Sequence, residues 1–478
     1  MNTPPYNLGF QSQEKECVLR NLEVQGAMPD WLEGTLLRVA PSKFEVGPDA
    51  YRHWFDGLSM LHRFAFGKDG VHYSSKFLQS NTYRINTARG RIVLGEFGTD
   101  PCRDLFRKVQ TFFAGPKSTD NGGVNVNLYG DTIGACTETP YPTAVDPDTL
   151  ETLGGISYDD ELGGHVTTPH PHYEPDGRLY SFTTAFGPKT HYLLYTQAPG
   201  SLKRELVAKI PVEQPAYMHS LGMTENYLLL TEFPLVTNPL HFRFTQKPFI
   251  EKHHWDAERG VTIHVVHKQT GEVRTFDMEV CFSFHHANAF ETESGITFDM
   301  LVYPDASVVQ SLYLDQLRAG SAGLVAGHLW RCTIDFQSGA VQKKLVTEQR
   351  LELPQTNYSR INGRPYQYLY AAGNHQEGNF LDSLVKVAVN TGETTVWAEE
   401  GCYPGEAVFV ERPGAQSEDD GVLLSVVLDT PARSSFLLVL QADTMKELAR
   451  VPVPHHITFG FHGRFLHQGM PEEITDRP

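Results

Sequence analysis

Short apolar runs broken by tight polar turns recur along almost the whole chain. Examples are ACTETPYPTAVDPDTLETLG, YEPDGRLYSFTTAF, TIHVVHKQTGEVRTFDM, LWRCTIDFQSGAVQKKL, LVKVAVNTGETTVWAEE and LLVLQADTMKELARVPV. Their period-2 or continuous apolar stretches suit half-buried and fully buried strands. The breaks read DPDT, PDG, TG and SG, residues that turn a chain at low cost. Turns spread over most of 478 residues predict one closed, radially repeated all-β fold. A β-propeller over residues 1–478, as a single domain, satisfies this pattern. Several β-sandwich domains in series are the competing architecture, and no Pro/Ser-rich or charged linker divides the chain to support it.

Two stretches depart from the pattern. Residues 100–117, DPCRDLFRKVQTFFAGPK, place Leu105, Phe106, Val109, Phe112 and Phe113 on one face of a helix. Arg103, Arg107 and Lys108 fall largely on the other side. Residues 233–250, FPLVTNPLHFRFTQKPFI, are aromatic, basic and interrupted by proline. The bland reading of both is loop packing over the strands. The sharper one is an apolar surface that dips into a membrane or admits an apolar substrate.

Charge narrows the classes of partner. A formal net charge of −17 disfavours tracking a nucleic-acid backbone or docking by a polybasic patch. The six cysteines form no CxxC and no disulfide framework, which suits a reduced, cytoplasmic compartment. No basic stretch followed by an apolar run marks a secretory signal. No window is apolar enough to predict a membrane-spanning helix.

Four histidines stand in distinctive settings: His170 in PHPHYEPDGRLY, His219 in YMHSLGMTENYLLL, His285 in FHHANAFE and His462 in GFHGRF. Each lies beside a strand or turn signal, and a lone histidine there is most often structural. As a set they sit where separate blades of a closed β-fold offer one side chain each to the axis. Four neutral imidazoles suit iron, copper, nickel or zinc. His172 and His286 neighbour two of the four. Side-chain alternation stops His285 and His286 from facing the same way, but leaves open which member of each pair points inward. Glu138, Glu352 and Glu406 each sit in or beside an apolar segment. Buried carboxylates there would accept the second ring N–H of three metal-binding histidines, and without such pairing their burial is costly. No GxSxG, P-loop, HExxH or dinucleotide-type GxGxxG is placed to suggest another chemistry.

These residues carry a resemblance. The chain is similar to the carotenoid cleavage oxygenases from about residue 18 to 468, through KFEVGPD, FDGLSMLHRFAF, STDNGGVNVN, ACTETP, HPHYEPDGRLY, MHSLGMTENY, FHHANAFE, YPGEAVFV, SEDDGVLLSVV and FHGRF. It resembles the animal β-carotene oxygenase and retinoid isomerase branch more than plant-type enzymes. The resemblance implies a seven-bladed β-propeller with a cap of loops and short helices over an axial iron site. It implies Fe(II) held by His170, His219, His285 and His462, with Glu138, Glu352 and Glu406 behind the ligands. It places Val124 and Thr137 near the open side of the iron. Cys102 resembles an acylated, membrane-proximal cysteine. One departure is visible: the family's R-N-G-P-G reads Arg38-Val39-Ala40-Pro41-Ser42, which predicts a locally different turn, remote in sequence from every ligand motif.

The activity so implied is cleavage of one C=C bond of a carotenoid or apocarotenoid by dioxygen, giving two carbonyl products. Both oxygen atoms end in the products, so no external reductant is needed. The substrate is a lipophilic polyene, reached through weak peripheral membrane contact by residues 100–117 and 233–250. Retinoid ester isomerohydrolysis and stilbene cleavage are the alternatives within the same fold. A purely binding propeller would have no use for the metal ligands.

Overall fold

The computed structural model describes residues 3–100, 119–187, 189–245, 247–320, 326–376 and 378–467. The fold is mostly β, built from antiparallel sheets that follow one another along the chain. The sheet Asn125–Tyr129, Thr132–Cys136, Thr143–Val145 and Thr152–Gly155 is followed by sheets covering Val166–Val212 and Gly222–Met278. A seven-stranded sheet spans Phe282–Trp397, and a six-stranded one is built mainly from Cys402–Val453. The final strand, Gly463–His467, does not start a new sheet. It pairs with Gly34–Lys43 near the start of the chain, Arg38 opposite Gly463 and Gly34 opposite His467. The chain's two ends therefore share one five-stranded sheet.

The hairpins lie where the turn residues predict them. DPDT separates Thr143–Val145 from Thr152–Gly155, and Asp146 Oδ1 accepts from the amides of Asp148 and Thr149. That side-chain bond stands in for a backbone turn. Asp335 does the same for Gln337 and Ser338 before Val341–Gln355. Gly271 closes the turn between Val261–His267 and Val273–Met278 at φ 69°. A Cβ there would lie 2.3 Å from the carbonyl oxygen of Val207, so both its conformation and its space require glycine.

The Arg38–Ser42 stretch is not a turn. It lies inside Gly34–Lys43, a buried strand paired with Leu58–Gly67 on one side and Gly463–His467 on the other. Proline is tolerated because pairing to Gly463–His467 has ended by Arg38, leaving no ladder bond for residue 41 to donate on that side. The register slips between Pro41 and Lys43, which absorbs the remaining irregularity.

The predicted helix at 100–117, with Cys102, lies outside the described residues. In 233–250 the outcome is divided. Phe233 and the strand Leu235–Thr237 are core, whereas Leu240 and Phe244 are 60% and 62% exposed around the one-turn helix His241–Phe244. Phe242 stacks on Phe249 and packs against Phe186. No described helix is long and apolar enough to cross a membrane.

Candidate metal centre

His170, His219, His285 and His462 converge on one point although they span nearly 300 residues of chain. One ring nitrogen from each lies within 4.8 Å of the others. Three local devices bring them there. Thr168 donates its hydroxyl to the carbonyl of His219 at 2.6 Å and accepts the amide of His170 at 2.9 Å, tying two ligand loops together. His285 lies in Phe282–Thr292, where register shifts between Ser283 and His286 and between His286 and Asn288 break the ladder. Such bulges re-aim side chains. The amide of His462 donates to Val124 O at 3.2 Å, just before the closing strand.

Three of the imidazoles are oriented by the three predicted glutamates. His219 Nδ1 donates to Glu138 at 2.5 Å, His285 Nδ1 to Glu352 at 2.6 Å and His462 Nδ1 to Glu406 at 2.7 Å. With the proton on Nδ1, each Nε2 carries a lone pair toward the common point. His285 Nε2 and His462 Nε2 face each other at 3.2 Å, and His170 Nε2 and His219 Nε2 at 3.1 Å. In the first pair both protons are already committed to carboxylates, so no N–H remains to bridge the two lone pairs. A cation between them turns that repulsion into ligation. The donor set fits a metal ion, and neutral nitrogen ligands fit a borderline transition metal.

Burial favours the neutral form of His170, His219 and His462, the form a metal ligand needs. Burial drives the His170 imidazole well below its ordinary value, reinforced by His462, His219 and His285. Burial also lowers His219 and His462, partly offset by Glu138 and Glu406 respectively. Burial pushes Glu352 and Glu406 upward, but their contacts outweigh it and hold both below the usual range. For Glu352 these are His285, the Leu353 amide and the Tyr303 hydroxyl. For Glu406 they include His462, Arg38 and Gln355.

The neighbouring histidines have other partners. His172 bonds the Tyr358 hydroxyl and the carbonyl of Leu221. His286 bonds the hydroxyls of Ser220 and Thr231. Both rings are used up locally. Val124 is buried and lines a cavity of about 40 Å³ beside His219, His285 and His462. Trp54, Phe55, Phe284, Leu353 and Phe461 complete most of its apolar wall. Thr137, half-buried one residue before Glu138, does not line it.

Four contributors escape the sequence reading. Tyr217 donates to Glu138 at 2.5 Å, and Tyr303 to Glu352 at 2.7 Å. Gln355 donates to Glu406 Oε1 at 2.7 Å, and Arg38 reaches Glu406 Oε2 at 3.3 Å. Tyr217, two residues before His219, shows a detectable spacing. Nothing local marks Tyr303.

A family model described as retinal pigment epithelial membrane protein matches residues 10–467. The chain belongs to the carotenoid oxygenase family. Among curated family members, a mitochondrial carotenoid-cleaving dioxygenase of Macaca fascicularis is 34% identical, over 93% of this chain and 91% of its own. A β,β-carotene 15,15′-dioxygenase of Rattus norvegicus is also 34% identical, over 93% and 88%. Among solved carotenoid oxygenases, a variant of the Synechocystis apocarotenoid oxygenase superposes with a TM-score of 0.86 at 27% identity. The match covers 97% of this chain and 99% of that one. A cobalt-substituted form of the same oxygenase gives 0.86 at 28%, with the same coverage.

Proposed function

We propose that this chain is a non-haem Fe(II) dioxygenase that cleaves one C=C bond of a carotenoid or apocarotenoid into two carbonyl products. The observation that carries the reading is the facing pair His285 Nε2 and His462 Nε2, whose Nδ1 protons are each committed to a glutamate. The names of the relatives supply the reaction class: carotenoid-cleaving dioxygenase, β,β-carotene dioxygenase and, in Galleria mellonella, carotenoid isomerooxygenase. The cobalt-substituted relative supports a metal in this fold.

His170, His219, His285 and His462 would hold the ion, one per chain, and Fe(II) there would supply activation of dioxygen. The residues of the chain do the rest. Glu138, Glu352 and Glu406 fix three rings in one tautomer, so the ligand set is built before the ion arrives. Trp54, Phe55, Phe284 and Phe461 form an apolar wall against which a polyene lies with little loss of hydrogen bonding. Val124 offers no hydrogen bond on the ligand side of that wall, so it neither holds water nor protonates a bound group. Holding one double bond beside the ligand set selects the cleaved bond.

The architecture belongs to the same proposal: residues 1–478 form one seven-bladed β-propeller with a cap of loops and short helices. Support comes from the sharing of one sheet by both chain ends, and from the seven-stranded sheet. Its 15-residue strand Val341–Gln355 pairs with Gly327–Asp335 from Val341 up to Leu351 and with Tyr368–Gly373 from Leu351 onward, so it changes partners along its length as a strand passing between adjoining blades would. A cytoplasmic protein with peripheral membrane contact suits five described cysteines that are all free and the exposed Leu240 and Phe244.

The test is aerobic incubation of iron-loaded protein with β-carotene, 8′-apocarotenal, a retinyl ester and resveratrol, with products resolved by mass. Two carbonyl fragments from one polyene are expected. Retinol from the ester without dioxygen, and no fragments from any polyene, would replace this reading with isomerohydrolysis.

A further inference from the structure

Arg38 lines neither the cavity beside the ligands nor contacts any histidine ring, yet it is a buried cation beside the centre. Its Nη1 reaches Glu406 Oε2 at 3.3 Å and the Glu406 carbonyl at 3.4 Å, and its Nη2 donates to the carbonyl of Phe461 at 3.1 Å. It thus grips the carboxylate behind His462 and the residue just before His462. Its own strand pairs Arg38 with Gly463, the residue just after. A Cβ on Gly463 would lie 2.5 Å from Arg38 Cγ, so the glycine makes room for this approach.

Among the described residues no lysine or other arginine touches Glu138, Glu352 or Glu406; their remaining partners are neutral donors and the ligand histidines. The charges then balance. A divalent ion brings two positive charges and the three carboxylates three negative ones. Arg38 supplies the one positive charge that returns the buried centre to neutrality. A trivalent ion would leave it with a net charge in a low-dielectric interior, which is costly.

We propose that Arg38 is a positioning residue that also sets the charge of the metal centre, orienting Glu406 and favouring the ferrous over the ferric ion. The proposal rests on the iron reading above. A unit charge about 10 Å from the ion, at an effective dielectric of about 20, changes that preference by roughly ten-fold.

The experiment compares iron content and the ferric/ferrous midpoint potential in the wild type, Arg38→Met, Arg38→Lys and the double variant Arg38→Met with Glu406→Gln. Circular dichroism checks the fold of each. Arg38→Met should favour ferric iron by about ten-fold, a fall of about 59 mV for a one-electron couple. Arg38→Lys keeps the charge and should stay within about three-fold of wild type. The double variant removes one charge of each sign and should return toward wild type. A purely structural role would not restore the potential in that way. Folded, iron-containing Arg38→Met with an unchanged potential overturns the proposal. If Arg38→Met does not fold, Glu406→Gln alone decides: because this charge lies nearer the ligands than Arg38, it should shift the preference by at least about ten-fold toward ferrous iron, and no shift refutes the charge role. Wild-type protein that takes up no iron overturns both this proposal and the proposed function, whereas an iron-loaded wild type with an unshifted variant overturns this one alone.

Discussion

Replacing each glutamate behind the ligands by glutamine should separate the three by the number of donors each must satisfy. Both oxygens of Glu406 are fully engaged. Oε1 accepts from His462 Nδ1 and Gln355 Nε2, and Oε2 from Arg38 Nη1 and the Gly463 amide. In either orientation, the amide nitrogen of a glutamine faces two donors, and Arg38 is left buried without a counter-charge. Breaking a buried ion pair costs about 3–5 kcal/mol. At Glu352, Oε2 accepts from His285 and the Leu353 amide, while Oε1 meets only the rotatable Tyr303 hydroxyl. A glutamine oxygen can serve the first pair and its nitrogen can donate to Tyr303, so only charge assistance is lost, about 1–2 kcal/mol. Glu138 accepts both His219 and Tyr217 on Oε1, and glutamine can do the same at a smaller cost still. The unfolding entropy of a 478-residue chain is about 1 kcal/mol per kelvin. Metal-free Glu406→Gln should therefore melt about 3–5 °C below wild type, and Glu352→Gln about 1–2 °C below. Scanning calorimetry with chelator present isolates the protein's own contribution. Equal losses at the two sites, or a larger one for Glu352→Gln, would refute the donor-counting argument.

Phe284→Ala should enlarge the cavity beside the ligands, cost about 3–5 kcal/mol and broaden the range of polyenes cleaved, read by calorimetry and product analysis. Gly463→Ala should push Arg38 aside and lower bound iron per chain, measured by metal analysis, more than Gly339→Ala at an open surface turn. Burial lowers His53 to about 3, so between that value and 6.5 the unfolded chain takes up a proton that the folded one refuses. Its contribution is present above pH 6.5 and lost as pH falls, at about 1.4 kcal/mol per pH unit. His53→Gln should flatten the fall of melting temperature between pH 6.5 and 4, and an unchanged slope would contradict the assignment. Leu240→Asp with Phe244→Asp should reduce co-sedimentation with neutral liposomes, and unchanged binding would remove that segment from the membrane contact.

The hairpins were legible because their turns are specified locally, by Asp146, Asp335 and Gly271 acting on their own backbone. The ligand histidines were legible as a set, since four imidazoles in strand or turn settings have a common chemical purpose. The choice of His285 over His286 was not, because it depends on a bulge whose signal is tertiary. The role of Arg38 was not legible for a related reason. Distance along the sequence says nothing of distance in space, and the closing strand lays Gly463 directly against Arg38. Tyr303 had no local signal at all, since its role exists only once Glu352 is folded against it.

The most direct test of the central claim is an anomalous difference map at the iron absorption edge, from crystals of iron-loaded protein. The account predicts one peak per chain, within bonding distance of the Nε2 atoms of His170, His219, His285 and His462. No peak there, or iron held elsewhere on the chain, would contradict it.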